Sequence, residues 1–302
     1  MLHPSRLATG MLAGVAAALV GGAWQVVTRQ STTTTIAPPD LAILRYGIAA
    51  LVLLALLLRT GLLPRGMPRR LLAGMVIGAG LPFGLIAMTR TMFAPTAHMG
   101  VLMAGASPLF AAVFAWVLWR ERPDRWRTLG LACMALGVAL LGSKFGTAGH
   151  AGAWRGDLMF LLAAALWAGF TLSFRQSGLG AWQGAALVNA WSTLLLLPWL
   201  GWLGSEIHLF DAPVRDLLWQ ALWQGVLAGL LGLWFFAATI ARLGAARAAA
   251  FGAPAPVVSA LGGWWWLGDR LTAVDALAVA SAVLGVALAS RGIPGRGDVP
   301  RQ

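Results

Sequence analysis

The sequence predicts an all-helical protein that crosses a membrane ten times, as two inverted-topology repeats of five helices. Three observations carry that prediction. The 302 residues are 59% hydrophobic and only 11% charged, with a mean hydropathy of +0.77. A soluble chain carries roughly 25% charged residues, so this one lacks the polar groups to cover a water-facing surface. Apolar runs of roughly 20 residues, the thickness of a bilayer core, recur along the whole length. The third observation is a stretch that occurs twice at a constant offset of 148 positions, from 108 to 256. Pro108 returns as Pro256, Glu121 as Asp269 and Arg122 as Arg270, and Leu136–Leu140 returns as an identical pentapeptide, Leu284–Leu288. Each copy reads as an apolar helix with a proline, a charged turn and a second apolar helix, the signature of homologous halves.

In chain order the expected helices span 8–28, 40–58, 71–91, 96–119, 127–143, 156–174, 182–203, 218–240, 245–267 and 272–290. Arg6 followed by an apolar run resembles a secretory signal, but the run continues to Val27, too long for a cleaved segment. The helices are apolar all round, so periodicity does not say which face is buried. Residues 31–40 read as a polar loop, and residues 204–217 as another. The repeat divides the chain into a first half at 1–146, a second at 147–291 and a disordered tail at 292–302.

Orientation follows from the basic residues. With the N-terminus inside, fifteen Lys and Arg fall in cytoplasmic segments and six in external ones, with Arg45 inside a helix. Positive residues favour the cytoplasmic side, so both termini are expected there. Five helices per half is an odd number, so the second half enters from the opposite face. Inverted repeats of this kind build carriers whose site lies near the midplane between the halves. The net charge of +12 is explained by these loops, and no nucleic-acid partner is expected. The lone Cys133 excludes an internal disulfide and a cysteine-based metal site.

Candidate site residues were sought inside the spans. Pro108 and Pro256 each fall near the middle of an expected helix, where proline removes a backbone hydrogen bond. The carbonyls four residues earlier, of Ala104 and Gly252, would be freed to face protein, water or a ligand. Arg45 is the one charge well inside a span, and a guanidinium suits a carboxylate or phosphate. Its alternative is to reach out to the headgroups. Trp24, Gln25, His98, Trp167, Asn189 and Trp234 complete the set as polar or aromatic residues in helix interiors. Glu121 and Asp269 are expected to hold their turns by pairing with Arg122 and Arg270. Asp40, Asp157 and Asp275 lie near helix ends. Paired glycines such as Gly80/Gly84 and Gly225/Gly229 point to close helix packing. There is no Walker loop, zinc spacing or nucleophile elbow, so an enzyme, a cofactor and a resident metal are not expected.

These residues also carry a likeness. The Trp-Arg-Glu-Arg-Pro turn and its Gly-Asp-Arg-Leu echo, Gly-Gly-Ala-Trp in the first helix and Leu-Arg-Tyr in the second resemble the EamA family of the drug/metabolite transporter superfamily. The likeness covers residues 8–290. It implies ten helices, alternating access and export of small metabolites such as amino acids across a bacterial inner membrane. The chain departs from the family pattern in having Asp269 where glutamate is usual and few polar residues in the third and eighth helices. The expected function is therefore a secondary transporter of a small polar metabolite. A drug or organic cation is the alternative substrate, and a non-transporting scaffold or intramembrane enzyme the alternative class. The lipid bilayer and the solute are the expected partners; the oligomeric state, a monomer included, stays open.

Overall fold

A computed structural model describes residues 4–34, 36–93, 95–143, 153–202, 207–244, 248 and 251–289. The tail expected at 292–302 lies outside them. The described residues are helical without strands. The first half holds α1 (Pro4–Thr32), α2 (Pro38–Val52 and Leu54–Thr60), α3 (Arg69–Met92), α4 (Thr96–Trp119) and α5 (Arg125–Gly142). The second holds α6 (Ala153–Ser177), α7 (Ala181–Trp202), α8 (Val214–Leu243), α9 (Pro254–Leu267) and α10 (Ala273–Ala289). Six of these, α1, α3, α4, α6, α7 and α8, are long and apolar enough to cross a membrane, and α2 makes a seventh if its two pieces, bent by 62°, form one span. At 18, 14 and 17 residues, α5, α9 and α10 are shorter.

The helices lie where the sequence expects them, with three corrections, one being that α8 begins at Val214, inside the loop expected at 204–217. The loop expected at 31–40 is shorter, because α1 continues to Thr32 and α2 begins at Pro38. Hydroxyls extend α1: Thr33 and Thr34 donate to the carbonyls of Arg29 and Gln30 at 2.7 and 2.6 Å. The ninth helix starts at Pro254 rather than 245, since residues 251–253 are turns and most of 245–250 lie outside the described residues.

The repeat is visible in atomic detail. After α4 the chain turns through Arg120 at φ 56°, and after α9 through Gly268, its counterpart, at φ 69°. Both turns close on the same bond, the N–H of the acidic residue to a carbonyl six residues back: Glu121 to Ala115 and Asp269 to Gly263. A left-handed residue closing a helix this way satisfies carbonyls that would otherwise be orphaned. Glycine adopts that conformation without strain, whereas Arg120 is the only non-glycine residue to do so among those described. The following helices are capped at equivalent positions. Asp124 accepts from the amides of Trp126 and Arg127, and Thr272 exchanges hydrogen bonds with Asp275, a capping box.

The two halves meet at α5 and α10. Gly137 sits against Ala278 and Ala282, and its counterpart Gly285 against Gly130 and Met134. Ala278 is itself the counterpart of Gly130. Each helix thus uses the same patch on the other, running antiparallel, as a two-fold axis requires.

Candidate functional site

A cavity of about 230 Å³ lies between the halves. Among the described residues, its wall draws on every helix except α7, and on the segment before α9. At one end stand Trp24, Gln25 and Arg45; at the other, beside the α4–α5 turn, stand Arg127 and Arg175. Between them the lining is apolar and aromatic. Phe83 lies between Trp24 and Trp167, with ring centroids at 6.4 and 5.2 Å, and Trp167 meets Phe236 at 5.0 Å.

Arg45 is placed by an irregular stretch of helix. Residues Ile43–Gly47 form a π-helical turn, a distortion that recurs at functional sites. A second π-helical segment, Ala221–Gly232 in α8, packs against it. The fit depends on small residues: a Cβ at Gly225 would strike Ile48, and one at Gly229 would strike the Arg45 carbonyl. Arg45 is only 5% exposed. It does not extend to the headgroups, since its guanidinium stacks 4.7 Å above the Trp24 ring. Its Nε and Nη1 have no hydrogen-bond partner among the described residues, and neither has Gln25 Oε1. The neighbouring Tyr46 has its ring centroid 5.7 Å from the same guanidinium and donates its hydroxyl to the Gly80 carbonyl at 2.6 Å.

Trp24 is fixed from below. Its indole N–H donates to Gln224 Oε1 at 2.6 Å. The Gln224 amide in turn donates to Thr28 Oγ1 at 3.0 Å and Gln220 Oε1 at 3.1 Å. Every hydrogen bond in this chain joins buried groups, so the Trp24–Arg45 stack rests on a rigid support.

Of the residues expected from the sequence, Trp24, Gln25, Arg45, Pro108 and Trp167 line this cavity. Four do not. Pro256 lies in the first turn of α9, not mid-helix, and the Gly252 carbonyl it was expected to free accepts from the Ala255 amide. A proline in the first turn removes no intrahelical bond. Gly252 and Ala255 line the cavity in its place. Asn189 donates to the carbonyls of Ala185 and Gly229, supporting the π-helical segment. Trp234 stacks on Trp182 at 4.8 Å. His98 sits between two carboxylates, with Nδ1 3.0 Å from Asp157 and Nε2 3.6 Å from Asp275. It ties α4 to α6 and α10. The two aspartates lie near helix ends, as expected, but are buried at 1% and 4% exposure.

The charged turns also differ from expectation. Arg122 and Arg270 are exposed. Asp269 pairs with Arg29 of α1 through both carboxylate oxygens, and Glu121 faces Arg175 of α6 at 3.7 Å. The left-handed turn swings each acid inward, so each charged turn reaches the first helix of the opposite half. The two pairs are related by the repeat but unequal. Asp269 also accepts from the Thr96 amide and hydroxyl, at 3.1 and 2.6 Å. The Glu121 side chain is 36% exposed against 8% for Asp269. Arg175, the partner of Glu121, lines the cavity, whereas neither Arg29 nor Asp269 does.

Sequence reasoning missed Phe83 and Phe236, because helices apolar all round hide which side faces a cavity. It also missed Arg90, fully buried with its guanidinium 3.9 Å over the Phe160 ring. Counted from the sequence, Arg90 falls among the six external basic residues.

Fold and cavity define a polytopic helical membrane protein with two related halves enclosing a solute-sized chamber. The model of the EamA-like transporter family matches residues 8–143 and again 154–291. The chain belongs to that family and is a transporter of the drug/metabolite type. One solved crystal structure, 21% identical, aligns with 93% of this chain and 95% of its own at a TM-score of 0.58, a likeness of fold. No curated protein matches the chain.

Proposed function

We propose that this protein is a secondary transporter that exports a small carboxylate-bearing metabolite by alternating access. In this reading it crosses the inner membrane ten times, with both termini and the cavity mouth cytoplasmic. The observation that carries the substrate class is Arg45. A buried guanidinium with two unpartnered N–H groups is costly unless an anion meets it, and a carboxylate matches its fork. The cavity is smaller than the roughly 300–1,000 Å³ typical of drug sites, which favours a small solute. An organic cation is disfavoured because Arg45 already occupies the Trp24 face that a cation would use.

Alternation is supported by the unequal ion pairs. With Arg29–Asp269 made and Glu121–Arg175 loose, the cavity communicates with the Glu121 face, the side where the basic loops cluster. Exchanging the two pairs would carry the solute across.

The test is metabolite profiling of cells overexpressing the protein against cells expressing Arg45→Gln. Export of one or more carboxylates by the parent alone supports the reading. An identical export profile from both proteins, or export of cations only, overturns it.

A further inference from the structure

We propose that the solute is a net anion of a particular build: an apolar, ring-sized body bearing a carboxylate with a neutral hydroxyl beside it, as in a 2-hydroxy acid, rather than a zwitterionic amino acid. This rests on the Arg45 reading above and narrows it. Three features of the cavity wall carry it. Gln25 Oε1 is a buried acceptor with no partner among the described residues, and it belongs to the residue after Trp24, over whose ring Arg45 stacks. This end of the cavity therefore offers donors for an anion and, in Gln25 Oε1, an acceptor for an O–H or N–H donor. Next, every charged side chain among the described lining residues is positive: Arg45, Arg127 and Arg175. An α-ammonium beside Gln25 would face the Arg45 charge with no carboxylate among the described lining residues to meet it and, at this end, a neutral amide oxygen to replace its water. A hydroxyl satisfies the same oxygen without that cost. Finally, Phe83, Trp167 and Phe236 form a ring-stacked wall along the path from Trp24, suited to an apolar body and not to a polyhydroxylated one.

Four ligands of nearly equal size separate the claims, each measured for binding to the purified full chain in detergent by tryptophan quenching. They are 2-hydroxy-3-phenylpropanoate, 3-phenylpropanoate, phenylalanine and phenylalanine amide. The hydroxy acid should bind tightest, by roughly fivefold to tenfold over 3-phenylpropanoate, the gain expected from one buried hydrogen bond. Phenylalanine should bind more weakly than either acid, and the amide weakest. Gln25→Leu should erase the advantage of the hydroxyl while leaving 3-phenylpropanoate unchanged. Phenylalanine binding as tightly as the hydroxy acid overturns the present inference but leaves the carboxylate reading standing. The amide binding as tightly as the acids overturns both. Absence of binding by all four overturns the apolar-body assignment. The wild-type comparisons decide the matter even if Gln25→Leu fails to fold.

Discussion

Arg29 of the first helix and Asp269 of the last charged turn are 240 residues apart, yet they pair through both carboxylate oxygens. Their repeat counterparts, Arg175 and Glu121, stand 3.7 Å apart. Each pair joins a turn of one half to the first helix of the other.

The first prediction concerns that asymmetry. Asp269→Asn removes a carboxylate holding three donor groups, whereas Glu121→Gln removes one already half in solvent. Transport should fall by tenfold or more in Asp269→Asn and by no more than about threefold in Glu121→Gln, given the small worth of exposed pairs. The exchange Arg29→Asp with Asp269→Arg should recover part of the loss. Equal losses for the two single variants, with no recovery by the exchange, would remove the ion pairs from the mechanism.

Proline supplies the second. Pro108 lies inside α4 and lines the cavity; Pro256 lies in the first turn of α9. Pro108→Ala should restore a mid-helix hydrogen bond, stiffen α4 and slow transport severalfold with the protein still folded. Pro256→Ala should change transport little. Parental transport rates in Pro108→Ala would end the hinge account, measured alongside elution volume to confirm folding.

The seam between the halves gives a third. Gly137→Leu and Gly285→Leu push a side chain into the partner helix at equivalent places. Each should lower stability by about 1–3 kcal/mol through overpacking, seen as a lower midpoint of thermal unfolding followed by tryptophan fluorescence. The control is Gly142→Leu, where nothing stands in the way. A Gly142 variant as damaged as the other two would contradict the packing described.

A fourth follows from His98. Each ring nitrogen faces a carboxylate, so His98→Leu takes a charged partner from the buried Asp157 and Asp275, although Asp275 keeps its hydrogen bonds to Thr272. Breaking a buried charged contact from one side costs roughly 3–5 kcal/mol, and the unfolding midpoint should fall sharply. The triple variant with both aspartates changed to Asn should be more stable than His98→Leu alone. If it is not, the carboxylates are not strained by the loss.

What the sequence made legible follows from where its signals lie. Hydropathy located α1 through α10 to within a few residues, the start of α9 excepted, because a long apolar run has few alternatives. The offset between Pro108 and Pro256 located the matching turns, down to the left-handed pair Arg120 and Gly268. Arg45 and Trp24 stood out because charge and tryptophan are conspicuous among alanine and leucine. The rest depended on rotation about helix axes, which a uniformly apolar helix does not record. Phe83 faces the cavity and Trp234 does not, though nothing local distinguishes them. The π-helical turn at Ile43–Gly47 that orients Arg45 is equally silent, as it comes from packing against α8. Ion pairing was misread for a related reason: sequence neighbours such as Glu121 and Arg122 suggested a local pair, while the turn geometry sends the acid to Arg175.

The central claim is that Arg45 holds a carboxylate through its planar fork. Arg45→Lys keeps the charge and loses the fork. The decisive measurement is the half-saturation concentration for counterflow of radiolabelled 2-hydroxy-3-phenylpropanoate into proteoliposomes, for the parent and for Arg45→Lys. The account predicts a rise of roughly tenfold or more in the Lys protein, the loss of one charge-assisted hydrogen bond. An unchanged half-saturation in Arg45→Lys would contradict it and remove Arg45 from the site.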